Sequence, residues 1–111
     1  MSRITLEPTR WLALLTAAVV FAGCDTTADR ELRRAEEALD KAMAVSADAH
    51  ATDDYNKAEE YFNLAQEAND RHKIQEAREY AIKAKLAAED AESKSKERLR
   101  ILEEEYDRLG R

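Results

Sequence analysis

The sequence predicts an all-α fold, a small antiparallel helical hairpin or three-helix bundle with a long, protruding C-terminal helix. After Cys24 the chain has no proline and one glycine, Gly110, so the residues that interrupt helices are almost absent. Three segments also repeat apolar residues at alternating steps of three and four, which places them on one face of an α-helix. These segments predict helices at about 28–49, 53–69 and 75–109.

The first predicted helix has one narrow apolar face. We expect Thr26 or Thr27 to cap its start, because a threonine hydroxyl accepts a hydrogen bond from a free N–H of the first turn. Residues 46–54, SADAHATDD, are rich in turn-forming side chains and are expected to hold the next turn. The apolar face consists of Leu32, Ala35, Leu39, Ala42, Ser46 and Ala49.

The second predicted helix opens near Thr52 or Asp53 and has a much wider apolar side. Such a side suits a middle helix that packs against two neighbours. It consists of Ala58, Tyr61, Phe62, Leu64, Ala65 and Ala68.

The third predicted helix has one apolar stripe along its whole length: Ala77, Ala81, Ala84, Ala88, Ala91, Ser95, Leu99, Leu102, Tyr106 and Leu109. The junction before it, residues 69–73 or NDRHK, is polar. If it were continuous helix, at about 100° per residue the stripes on its two sides would be out of phase by roughly a third of a turn. A break restores both stripes to one core and predicts a hairpin with the first helix packed on it. One very long helix in an oligomeric coiled coil is the alternative.

The third helix is expected to be longer than its partners. At about 1.5 Å per residue it is roughly 50 Å long, about twice the second helix. Residues 93–111 should therefore project past the bundle and offer an apolar stripe to a partner protein or a second copy, unless they form a frayed amphipathic tail. That stripe is Leu99, Leu102, Tyr106 and Leu109. We expect a smaller patch, Ile82 and Leu86, to be covered by the first helix.

The N-terminal residues have the pattern of an export signal. Residues 1–10 carry two arginines, and residues 11–22 are uncharged and apolar. Asp25 ends the run short of the roughly 20 residues that a membrane span needs. The order Phe21, Ala22, Gly23, Cys24 resembles the lipobox of bacterial lipoproteins, although that family prefers leucine where Phe21 stands. An ordinary secretory signal cleaved after Ala22 or Gly23 is the alternative.

The lipobox resemblance implies a specific processing. In that family the thiol takes a diacylglyceryl group, the chain is cut between Gly23 and Cys24, and the new amino group is acylated, for example with palmitate. Each buried methylene contributes about 0.8 kcal/mol, so two or three acyl chains hold a protein on a bilayer.

The implied organisation is a signal peptide at 1–23, a linker at 24–29 and a helical domain at 30–111. The implied location is the bacterial envelope, facing the periplasm. The outer membrane is favoured, although Asp25 resembles an inner-membrane retention signal.

Two further resemblances concern the helices. Tyr61, Leu64, Ala65 and Ala68, followed by Ala77, Ala81 and Ala84, match the spacing of one tetratricopeptide unit. The segments AEEALDKAMAVSADAHATDDYNKAEEYFNLAQEAN and QEAREYAIKAKLAAEDAESKSK resemble the envelope lipoprotein family of domain of unknown function 4398. This resemblance implies an alanine-rich helix and a tetratricopeptide-like hairpin after a lipidated cysteine. Relatives often add a peptidoglycan-binding domain of the outer-membrane-protein-A type, which is not expected in this chain.

Charge and motifs argue against several classes of function. The chain has 24 acidic and 18 basic residues, of which one acidic and two basic residues lie in residues 1–23. Residues 24–111 therefore have a net charge of −7, which argues against binding to nucleic acid. His50 and His72 are isolated, and no phosphate-binding loop or nucleophile with a base is recognisable. We therefore predict no enzyme, cofactor, metal or small-molecule substrate. The expected function is a structural spacer or interaction module, with a ligand carrier or a murein-lipoprotein-like coiled coil as alternatives.

Overall fold

The computed structural model of the chain describes residues 27–110, and in them the all-α prediction is confirmed. The described residues form four helices and contain no strand. They are α1 (Asp29–Ala44), α2 (Ala47–His50), α3 (Thr52–Asp70) and α4 (Ile74–Leu109). The predicted second and third helices thus begin and end within one residue of the expected positions.

Three groups of buried alanines define how the helices run. At one end, which we call the base, Ala28, Ala68 and Ala77 meet. In the middle, Ala35 packs with Ala65, Ala81 and Ala84. At the other end, which we call the top, α1, α2 and α3 converge on α4 through Ala42, Ala47, Ala51, Tyr55, Ala58, Ala88 and Ala91. Consequently α1 and α4 run in the same direction, while α3 runs antiparallel to both, as the hairpin prediction requires.

The core is built mostly of alanine, which determines both its geometry and its energy. Alanine side chains let helices approach near the short end of the usual 8 to 10 Å between axes. Each buries little apolar surface, at about 25 cal/mol per Å². Leu39 and Tyr55 are the only larger apolar side chains that the described residues bury. Leu32, Tyr61, Phe62 and Tyr80 pack at the edges.

The prediction that the first helix extends to about residue 49 is wrong. α1 ends at Ala44, and Ser46 adopts a left-handed conformation with φ of 58°. A residue in this conformation cannot continue a right-handed helix, so the chain turns across the top before α2 begins. As a result Ser46 and Ala49, predicted on the apolar face, are exposed, and Ala47 and Ala51 are buried instead.

The second predicted turn is confirmed and closes by a defined hydrogen-bond pattern. His72 has a φ of 60°, its N–H donates to the Asn69 carbonyl at 3.0 Å, and the Lys73 N–H donates to the Ala68 carbonyl at 2.9 Å. These two bonds make a Schellman motif, with a histidine where glycine is usual. The motif ends α3 and sends the chain back along it as α4.

The described residues show no side-chain cap at the start of α1 or of α3. No side-chain cap bonds the first turn of α1, and Asn69 Oδ1 instead accepts the Ala28 N–H at 3.3 Å from across the base. The Thr52 hydroxyl donates to the Asp48 carbonyl at 2.9 Å, so it satisfies the end of α2 and does not cap α3. Thr26, the other candidate, lies outside the described residues.

Tyr55 is a core residue that the apolar pattern of the second helix did not include. Its side chain packs among the alanines of the top, and its relative exposure is 6%. Burial raises the pKa of its phenol above the usual range, and the adjacent carboxylate of Glu59, which bonds to it, adds to the rise. The phenol therefore stays neutral within the core of the top.

Candidate functional site

The first candidate surface is the free end of α4. Ser95 is the last buried residue of this helix, and its hydroxyl donates a hydrogen bond to the Val45 carbonyl where α1 ends. Residues 96–110, which we call the tip, are all exposed. At about 1.5 Å per residue the tip extends roughly 22 Å past the bundle. The predicted projection of α4 is thus present.

The tip continues the buried stripe of α4 without a partner from the described residues. Leu99, Leu102, Tyr106 and Leu109 follow Ser95 at steps of four, three, four and three, so they lie on the face that packs against α1 and α3 lower down. Leu102 is 39% exposed, and Tyr106 and Leu109 are 78% and 85% exposed. The four predicted contact residues therefore form one apolar ridge, which we call the tip stripe.

Ion pairs on the other side of the tip support its helix. Arg100 lies 2.6 Å from Glu97 and 2.5 Å from Glu104, one turn away in each direction. The hydrogen bond to Arg100 lowers the pKa of Glu97, and the same carboxylate raises the pKa of Arg100. Exposed pairs at these spacings give an isolated helix weak support. Ion pairs within the tip thus support its helix.

The second candidate surface is the base, where the described chain begins. Asn69 Oδ1 holds the N–H of Ala28, and Arg78 Nη2 reaches the Thr27 carbonyl at 3.4 Å. Arg78 Nε also lies 3.8 Å from a Glu31 carboxylate oxygen. The chain therefore enters the bundle beside the α3–α4 turn, at the opposite end from the tip.

The predicted lipobox residues Phe21, Ala22, Gly23 and Cys24 lie outside the described residues, so their assignment stays a prediction. Cys24 is four residues before Ala28, and four residues span at most about 14 Å. Any group attached to Cys24 is therefore held near the base by covalent geometry. Among residues 27–110, no helix is both long enough and apolar enough to cross a membrane.

The expectation that the first helix covers Ile82 and Leu86 is wrong. These side chains are 51% and 55% exposed, because each residue adds about 100° around a helix and places them beyond the face that α1 occupies. They border a groove of about 170 Å³ that Glu31, Arg34 and Lys85 also line. A larger groove of about 300 Å³, lined by charged side chains, lies between the same two helices, and one of about 220 Å³ lies at the α3–α4 turn.

An aromatic pair and an ion pair join α3 to α4. The rings of Tyr61 and Tyr80 stack with centroids 6.3 Å apart, and Lys83 Nζ lies 5.8 and 5.7 Å from the two centroids. Lys94 Nζ contacts Asp54 at 2.6 Å nearer the top, and this bond raises the pKa of Lys94. Both contacts lie on one edge of the hairpin and fix its register.

Residues 27–110 bring together no group of three or more histidine, cysteine or acidic side chains that would hold a metal. His50 ends α2 near the top, while His72 is exposed in the turn at the base. Sequence reasoning treated His72 as an isolated turn residue and did not connect it with Arg71 and Lys73. The sequence shows the run Arg-His-Lys, but only the fold places this run beside the start of the domain.

Comparisons of the chain with models of protein families, with curated proteins and with solved structures gave no match. The resemblance to the family of domain of unknown function 4398 accordingly remains a prediction.

Proposed function

We propose that this chain is a lipid-anchored helical lipoprotein of the bacterial envelope that faces the periplasm and acts as a spacer and protein-interaction module. The observation that supports it best is the tip stripe, an apolar ridge on a helix that extends beyond its own bundle. The lipobox resemblance at Cys24 supplies the anchor, and the base is the end nearest to it. In this proposal catalysis has no part.

The geometry gives the spacer a length. α4 has 36 residues and runs from base to tip, which is about 54 Å at 1.5 Å per residue. A lipid on Cys24 would hold the base near the head groups, so the tip stripe would stand tens of ångströms from the leaflet. This arrangement suits a protein that presents a binding surface at a distance from its membrane.

The tip stripe has the spacing by which one helix recognises another. Apolar side chains at steps of three and four fit a hydrophobic groove or a facing helix. In the body of the protein the same face of α4 is covered by α1 and α3. We therefore propose that an apolar face of an envelope protein, or of a second copy of this chain, covers it at the tip.

The carrier alternative has less support in the described residues. Ligand pockets usually have volumes of about 300 to 1,000 Å³ and mostly apolar walls. The groove beside Ile82 and Leu86 has about 170 Å³ and is bordered by charged side chains, and the groove of about 300 Å³ is lined almost entirely by charged side chains. The murein-lipoprotein-like coiled coil is the variant in which the tip stripe binds other copies of the chain.

A pair of neighbouring substitutions tests the role of the tip stripe. Leu102 and Ile101 are adjacent, apolar and similarly exposed, at 39% and 36%, but they lie on different faces of α4. We expect Leu102→Asp to reduce crosslinking to a partner at least about tenfold, since a desolvated charge at an apolar interface costs well over 1.4 kcal/mol. Ile101→Asp should retain most of it. Crosslinking in cells followed by purification measures both.

Circular dichroism of both variants should show an unchanged bundle, because every residue of the tip is exposed and none belongs to the buried core of the described residues. Equal loss of crosslinking in the two variants would indicate a general charge effect. Unchanged crosslinking in Leu102→Asp would remove the tip stripe from the proposal.

The anchor is tested independently by lipid labelling. Cells that express the wild-type chain are grown with a fatty-acid analogue and should yield a labelled protein in the membrane fraction. The substitution Cys24→Ala should abolish the label. Intact mass should show a chain that begins at Cys24 and carries acyl groups. A chain that starts elsewhere, or has no acyl mass, would contradict the anchor and leave the tip test unaffected.

A further inference from the structure

The fold separates charge along the length of the protein. The base segments, residues 27–34 and 67–79, have six acidic and six basic residues and are neutral. The body, residues 35–66 and 80–95, has eleven acidic and five basic residues, a net charge of −6. The tip, residues 96–110, has five acidic and four basic residues. Within residues 27–110 the excess of acidic residues thus lies mainly in the body.

The α3–α4 turn forms part of the exposed surface of the base. Arg71, His72 and Lys73 follow one another there, and all three are exposed. The Schellman motif fixes the backbone of this turn, because His72 and Lys73 donate their N–H groups to the last turn of α3. The three side chains are therefore presented on a rigid corner of the bundle.

The cations of this turn are available to a further anion. Arg71 contacts Glu67 at 2.7 Å, and Lys73 lies 4.0 Å from Glu76, but the side chains of Arg71 and Lys73 are 65% and 60% exposed. Exposed pairs of this kind contribute little and exchange readily with other ions. An anionic surface placed against the turn would meet both cations.

The same turn is bonded to the start of the domain. Asn69, three residues before His72, accepts the N–H of Ala28. Cys24 lies at most about 14 Å of chain away from Ala28. A lipid on Cys24 therefore places the turn within reach of the head groups of its own leaflet.

We propose that the Arg71-His72-Lys73 turn binds the phosphate groups of anionic lipids beside the anchor. The inference rests on the proposed anchorage through Cys24. Two opposing forces then set the orientation of the protein: the turn is attracted to the anionic leaflet, and the acidic body is repelled from it. The bundle stands upright with the tip stripe farthest from the membrane.

The orientation is measurable by fluorescence, because the chain after Cys24 has no tryptophan. Gln75→Trp reports on the base and Asp107→Trp on the tip, through energy transfer to dansyl-labelled lipids. The lipidated protein is reconstituted into phosphatidylcholine vesicles with and without phosphatidylglycerol. We expect phosphatidylglycerol to raise the ratio of base transfer to tip transfer, and added salt to reverse the rise.

The double variant Arg71→Gln/Lys73→Gln should lower the equilibrium constant for base contact roughly 30-fold, which corresponds to about 2 kcal/mol at about 1 kcal/mol per cation. Lys41→Gln/Lys57→Gln makes the same charge change on the body and is the matched control. The control should keep the phosphatidylglycerol effect. The proposal is overturned if the turn variant also keeps the phosphatidylglycerol effect, or if the control loses as much of that effect as the turn variant does.

A second sample separates this inference from the anchor. If the purified chain has no acyl mass, the proposed anchorage fails, and the full chain with Trp11→Phe is coupled through the Cys24 thiol to a maleimide lipid. A rise of the base-to-tip ratio with phosphatidylglycerol in the coupled protein then supports the headgroup contact. An unchanged ratio overturns it, whatever the origin of the tether.

Discussion

Replacing Tyr55 with alanine is expected to lower the free energy of unfolding by about 3 to 5 kcal/mol, the usual cost of removing a large buried ring. Tyr55 packs in the top among alanines of all four helices. Alanine has no side-chain rotamers with which to fill the space, so the cavity should persist. Because small domains are stable by only about 5 to 15 kcal/mol, this one change should remove a large share of the total.

Urea denaturation followed by circular dichroism measures the effect, and the chain offers a matched control. Tyr106→Ala makes the same change at a ring that is 78% exposed on the tip. It should alter the free energy of unfolding by less than about 0.5 kcal/mol. If the two variants lost similar free energies of unfolding, the structure would be contradicted, because it places Tyr55 in the core and Tyr106 on the exposed tip.

Enlarging Ala84 to leucine is expected to destabilise the protein by about 1 to 3 kcal/mol through overpacking. Ala84 is completely buried and packs with Ala35, Ala65 and Ala81, so α1, α3 and α4 all meet at its side chain. Leucine is nearly as good a helix former as alanine, so a loss would come from forcing the helices apart. For a domain of this size, each kcal/mol lowers Tm by about 4 to 8 °C.

Thermal unfolding of Ala84→Leu is compared with that of Ala44→Leu, which adds the same atoms at the exposed last residue of α1. The control should change Tm by no more than a few degrees. If Ala84→Leu proved as stable as the wild type, the close approach of the three helices would be refuted.

The features that sequence reasoning predicted well depend on short-range patterns. α3 and α4 have long, regular apolar faces, and the polar run between them separates two stripes that are out of phase. Each of these signals is contained within a few turns of helix. The predicted stripe of α4 is accordingly buried from Ala77 to Ser95, and its continuation from Leu99 is the exposed tip stripe.

The errors occur where the chain changes direction. Ser46 and Ala49 fit the period of α1, but the left-handed residue at Ser46 ends that period and buries Ala47 and Ala51. The exposure of Ile82 likewise depends on where α1 crosses α4. Neither the angle of a turn nor the place where one helix covers another is encoded in the spacing of a single segment.

The sequence alone determined that the part of the chain that the structure describes is mostly helical, where two of the long helices begin and end, and that α4 extends beyond its partners. Those properties follow from periodicity and the absence of helix breakers, which act between residues a few positions apart. Only the tertiary structure decided that Ala28 meets Asn69 and that the Arg71-His72-Lys73 turn lies beside the start of the domain. The physical reason is that 41 residues separate these two positions, so the packing of the whole bundle, and no local preference, brings them together.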